Sequence, residues 1–149
     1  MRTAIGTLAI AALATASVSA HVTVWPRESK AGASEKYTVR VPSEGKLATT
    51  SVHLEVPDGV TVVAVQAPAG WTYDVTRQGT RIISVTWSME IKPGEFAEFA
   101  FLARNPKEGP QVTWKVHQKY ADGTSSDWIG PAGDRQPAPV TKLVAATTP

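Results

Sequence analysis

The chain has 149 residues, with 15 Lys and Arg against 13 Asp and Glu, and no cysteine. That composition excludes a disulfide framework, a thiolate metal site and a cysteine nucleophile, so stability has to come from packing. Setting Arg2 aside leaves 14 basic and 13 acidic side chains, a net of +1, too small a balance to recruit nucleic acid or an anionic membrane.

Taken in order, the chain opens on Arg2 and an uncharged, mostly apolar run, Ile5–Ala16, followed by Val18 and Ala20 at the two positions that govern cleavage. This reads as a secretory signal over residues 1–20, cut after Ala20. The apolar run is shorter than the about 20 residues that a membrane span needs. The expectations are a periplasmic or secreted product, and one domain of residues 21–149 whose first residue is His21.

From Val22 the pattern has period two, rich in Val, Thr, Tyr and Trp. It predicts strands over Val22–Trp25, Lys36–Val41, Thr50–Val56, Thr61–Val65, Trp71–Thr76, Arg81–Ser88, Phe96–Arg104 and Val112–Tyr120, with weaker ones around Trp128 and Val140–Val144. Turn signals separate them, among them Pro57-Asp58-Gly59, Pro68-Ala69-Gly70, Lys92-Pro93-Gly94 and Asp122-Gly123. Short strands at this spacing, with no amphipathic helix, predict an all-β fold, an antiparallel β-sandwich of immunoglobulin-like or cupredoxin-like type. Residues from about 130, with Pro131, Pro137 and Pro139, read as an extended tail. In Val112–His117, alternation points Val112, Trp114 and Val116 one way and Thr113, Lys115 and His117 the other.

Several residues are candidates for chemistry. An N-terminal His21 offers its α-amine and an imidazole nitrogen to one ion, a bidentate chelate. The amine, with an ordinary pKa of roughly 7.7–8.0, must lose its proton to bind. Nitrogen donors suit Cu(II), whereas Cu(I) prefers sulfur, and Met89 is the single methionine after residue 20. A chance cut before a histidine is the plain alternative. Glu44, in Val41-Pro42-Ser43-Glu44-Gly45, follows a strand that Pro42 interrupts; it is either a solvated loop carboxylate or an oxygen ligand at the domain edge. Trp128 reads as a core plug or as an indole beside a bound cation. His53 shares a face with Glu55 and reads as a surface histidine. His117, flanked by Lys115 and Lys119, is disfavoured as a cation ligand by repulsion.

These stretches also carry a resemblance. His21-Val-Thr-Val-Trp-Pro26, Val41-Pro-Ser-Glu44, Thr49–Pro57, Pro68-Ala-Gly-Trp71, Lys92–Phe101, Lys119-Tyr-Ala-Asp-Gly123 and Trp128-Ile-Gly-Pro131 resemble the YcnI-like bacterial copper-binding family across most of residues 21–140. The resemblance implies an exported β-sandwich that binds Cu(II) through a single-histidine brace. His21 would give amine and imidazole, Glu44 a carboxylate oxygen, and Trp128 would lie beside the metal, with Glu55 the alternative carboxylate. It further implies a copper carrier serving a membrane copper transporter. Some members add a C-terminal linker and membrane helix. This chain ends at Thr147-Thr148-Pro149, which favours a freely diffusing carrier without a membrane anchor.

Two other functions compete. A copper oxidase resembling the lytic polysaccharide monooxygenases would need a second histidine ligand, His53 or His117. A metal-free immunoglobulin-like interaction module fits the same strand pattern. No Ser/His/Asp or paired-carboxylate arrangement supports hydrolysis, so a binding protein rather than an enzyme is expected.

Overall fold

A computed structural model describes residues 20–146. The predicted signal segment, residues 1–19, lies outside the described residues, as do 147–149. Twelve strands and no helix occur among the described residues: β1 (Thr23–Trp25), β2 (Glu28–Lys30), β3 (Ser34–Pro42), β4 (Thr49–Glu55), β5 (Thr61–Val65), β6 (Thr72–Gln78), β7 (Arg81–Ile91), β8 (Phe96–Arg104), β9 (Gln111–Thr113), β10 (Lys115–Tyr120), β11 (Ser125–Trp128) and β12 (Val140–Val144). They form an all-β sandwich. A four-stranded sheet, β1-β3-β8-β5, is accompanied by a five-stranded sheet, β11-β10-β4-β7-β6, and a smaller β2-β12-β9 sheet closes one side.

Period-two alternation creates the core. Tyr37, Val39 and Val41 of β3 and Phe99 and Phe101 of β8 turn inward from one sheet, and Val52, Leu54, Val85, Trp87 and Val116 from the other. The rings interlock: Trp87 stacks on Phe99 at 5.0 Å, and Trp114 meets Tyr37 edge-on at 4.8 Å. Each large apolar side chain so buried contributes about 1.5–3 kcal/mol, which replaces the cross-links that a cysteine-free chain lacks.

Two details depart from the sequence pattern. The Val112–Tyr120 stretch is two strands, because Trp114 is where the chain changes partner: β9 pairs with β12, β10 with β4, and the backbone N–H of Trp114 donates between them to Pro139 O at 2.8 Å. β2 was not expected. Its three polar residues form a strand only because β12 arrives alongside, and that pairing is parallel, an exception to the antiparallel rule elsewhere in the ladders. The weaker strand expected around Val140–Val144 is present as β12, the central strand of the small sheet, within the stretch expected as an extended tail.

Candidate metal centre

β1 sets the position of His21. Val22 and Val24 are both 2% exposed, so they anchor the strand while His21 remains at the surface. The His21 ring lies 5.6 Å from the indole of Trp128, tilted by 56°. Trp128 ends β11, opposite Val116 of β10, and its indole is buried. Next to His21, the backbone N–H of Ala20 donates to Glu44 Oε1. The structure therefore brings the neighbourhoods of all three candidates, His21, Glu44 and Trp128, to one end of the sandwich.

The loop bearing Glu44 is held on both sides. Ser43 N donates to Glu95 O and Ser43 O accepts from Gly94 N, both at 2.9 Å. The Ser43 hydroxyl bonds to Leu47 O and to Thr49 Oγ1, each at 3.1 Å. Gly45, at φ 80°, takes the left-handed turn that leads out of Glu44. An exposed carboxylate side chain is thus mounted on a clamped backbone.

The Ala20 contact bears on the chelate. In the uncut chain an amide nitrogen meets the carboxylate. After cleavage the α-amine belongs to the next residue, about 3.8 Å along the chain by Cα spacing. A cut after Ala20 would leave amine and imidazole together on the residue next to the nitrogen that meets Glu44. That donor set is two nitrogens and one oxygen, which fits Cu(II) chemistry. Neither His21 ring nitrogen has a hydrogen-bond partner among the described residues. His21 also lines an open groove of about 920 Å³ with Thr23, Arg27, Asp134 and Pro139, so the site is open to exchange.

Glu55 stands elsewhere. It projects from the outer face of the five-stranded sheet, where its Oε1 meets His117 Nε2 at 2.8 Å. His117 Nδ1 meets Asp127 Oδ1 at 2.7 Å. The expectation that Lys115 and Lys119 would dominate His117 is corrected: cross-strand carboxylates reach it first. With a carboxylate on each nitrogen, the protonated form of the ring is favoured. Burial opposes that charge, but the hydrogen bonds and charges of Asp127 and Glu55 prevail and raise its pKa above the usual histidine value. His53 pairs across from His117 with ring centroids 5.7 Å apart, and its Nδ1 meets Thr86 Oγ1 at 2.8 Å. Burial first, and the His117 charge second, lower its pKa. Both histidines face away from Trp128, because the residue paired with Trp128 is Val116, on the opposite face from His117. Among the described residues no group of three imidazole, carboxylate or thiol side chains is arranged to hold a metal. A centre at His21 would have to draw on the backbone amine as its third donor.

One residue of this end escapes a motif search. Gln118 is 1% exposed, accepts the Trp128 indole N–H at 3.1 Å and donates to Pro42 O at 2.8 Å. Its signal is faint but present: continuing the Val112, Trp114, Val116 alternation by one step turns an amide into the core.

Comparison with known proteins bears on the fold and the family. Residues 21–143 match the family described as a domain of unknown function, DUF1775. The chain is 37% identical over 135 residues to the copper-binding protein CutI of Bacillus subtilis strain 168, covering 89% of this chain and 66% of that protein, a little under two thirds of its length. Among solved structures, an uncharacterized protein from Nocardia farcinica, described as having an immunoglobulin-like fold, aligns with a TM-score of 0.72 at 28% identity, covering 83% of this chain and 97% of that one. A non-cellulosomal cohesin from Archaeoglobus fulgidus aligns at 0.51 and 13% identity over 83% of this chain and 90% of its own, a likeness of fold alone. The immunoglobulin-like sandwich, the motifs and the match over nearly all of the described residues lead to one conclusion: the chain belongs to the DUF1775 family, the YcnI-like group.

Proposed function

We propose that this protein binds Cu(II) outside the cytoplasm as a carrier, through a single-histidine brace completed when the leader is removed at Ala20. The amine and imidazole of His21 and the carboxylate of Glu44 are the donors, and the Trp128 indole shields one side of the ion. The observation that carries the reading is the Ala20 N–H on Glu44 Oε1 beside a His21 ring packed on Trp128. The copper-binding name of the Bacillus subtilis relative supports the choice of metal. Nitrogen and oxygen donors without sulfur support the divalent state. The open groove beside His21 suits a protein that takes up and hands on an ion, with a membrane copper transporter as the receiving partner. The proposed role is binding, not turnover. Among the described residues no helix is long and apolar enough to cross a membrane.

The test is a Cu(II) titration of two chains, one beginning at His21 and the same chain with its α-amine acetylated. The reading requires one tight equivalent in the first and its loss in the second. Equal stoichiometry and affinity in both would overturn the brace, since an acylated nitrogen cannot serve as the amine.

A further inference from the structure

We infer that Gln118 is the positioning residue of this site: it sets the distance between the indole beside His21 and the loop that carries Glu44. The inference rests on the copper reading for its consequence, but its geometry stands apart from it.

Gln118 occupies a core-facing position of β10, after Val116, and is 1% exposed. A primary amide there is costly unless its polar atoms are used. All are used. Oε1 accepts the Trp128 indole N–H at 3.1 Å. Nε2 donates to Pro42 O at 2.8 Å and to Thr49 Oγ1 at 2.7 Å. With that donor on Thr49, the Thr49 hydroxyl is free to donate to Ser43 Oγ at 3.1 Å, and the Ser43 hydroxyl to Leu47 O at 3.1 Å. The donors all point the same way, so the chain of bonds runs from the indole of Trp128 to both sides of Glu44 without an unsatisfied group. Thr49 and Ser43 are 0% and 1% exposed, so water does not compete for these bonds.

Satisfying an indole is not by itself a reason for this arrangement. The Trp87 N–H is buried with no partner among the described residues, so the fold tolerates one. The Trp114 N–H is served by a short hydroxyl, Thr141 Oγ1 at 3.1 Å. Trp128 alone is served by a side chain long enough to reach a second segment as well. The arrangement therefore fixes a span, and the span is the one between the two neighbours of His21. A buried, fully used polar network of this kind selects one geometry over nearby alternatives. Outer residues that orient metal ligands change affinity by about 10–100-fold when lost.

The experiment compares the chain beginning at His21 with Gln118→Met, Gln118→Glu and Val116→Ala. Two quantities are read: the ¹H NMR shifts of the His21 ring in metal-free protein, which carry the ring current of Trp128, and the affinity and EPR spectrum of bound Cu(II). Gln118→Met should move the His21 shifts toward those of a free histidine, weaken Cu(II) at least about 10-fold and split the EPR signal into more than one species. Gln118→Glu keeps the acceptor for Trp128 and loses the donors to Pro42, so it should retain most of the ring shift and still weaken Cu(II). Val116→Ala removes core packing on the same strand and should lower the melting temperature while leaving the EPR signal single. Unchanged His21 shifts in Gln118→Met overturn the positioning role whatever copper does. Val116→Ala reproducing the Gln118→Met spectra overturns it too. Failure of the unsubstituted chain to bind Cu(II), with the shifts moving as expected, overturns the copper reading and leaves the positional one standing.

Discussion

Two histidines in this protein have a carboxylate in their neighbourhood, and their ring nitrogens are engaged in opposite ways. His117 lies on the outer sheet face with Asp127 on one nitrogen and Glu55 on the other. It is fully engaged, and a metal would have to displace a proton and two acceptors to bind it. His21 has a carboxylate nearby too, but Glu44 meets the backbone nitrogen of the preceding residue, not the ring. Its ring rests against an indole with both nitrogens free of partners among the described residues. Counting histidines and acids would rank the outer cluster first. Asking which nitrogen lone pairs are available ranks His21 first, and that is the more physical criterion.

The comparison can be broken in steps of decreasing size. The largest effect is expected from acetylating the His21 amine, which should abolish the tight Cu(II) equivalent in a titration. Glu44→Gln comes next: the amide oxygen is a weaker, uncharged ligand, and a competition assay should show at least the about 10–100-fold loss typical of weaker, outer-shell changes. Glu55→Gln should leave the affinity unaltered. If Glu55→Gln weakens copper and Glu44→Gln does not, the two ends have been assigned in reverse.

A smaller effect is expected from His117→Gln, and it should depend on pH. The folded pKa of His117 lies above the unfolded value near 6.5. The stability it contributes is therefore fully present below about pH 6.5 and lost as pH rises through the folded value. Chemical denaturation should show His117→Gln destabilised by up to about 1 kcal/mol at pH 5.5, as befits a partly exposed ion pair, and by less at pH 9. His53, its pKa lowered, acts in the opposite sense and trims the gain at low pH. A difference that grows toward alkaline pH would show that the two carboxylates do not favour the charged ring. Copper stoichiometry should be the same in both proteins.

Much of the sandwich could be read from alternation. β5 and β8 have the bounds the pattern predicts, and the inward faces of β3, β4 and β10 follow period two. What stayed hidden depended on partners distant in sequence. β2 exists because β12, over a hundred residues later, lies beside it. The break at Trp114 reflects a change of sheet that no local propensity encodes. His117 looked repelled because its visible neighbours were Lys115 and Lys119, while Glu55 and Asp127 arrive from adjacent strands. At the metal end, His21 could be nominated from a cleavage junction alone, but Glu44 and Trp128 came by family likeness, since their separation in sequence says nothing of the clamped loop or the indole. Gln118 shows the same limit. Its buried position follows from alternation, but its three partners do not.

The most direct measurement is electron spin-echo modulation of one equivalent of Cu(II) on the chain beginning at His21. It counts the imidazoles bound to the ion through their remote nitrogens. The account predicts one imidazole, retained in the His53→Ala/His117→Ala double variant and lost in His21→Ala. Two coordinated imidazoles, or a single one that survives His21→Ala, would contradict it.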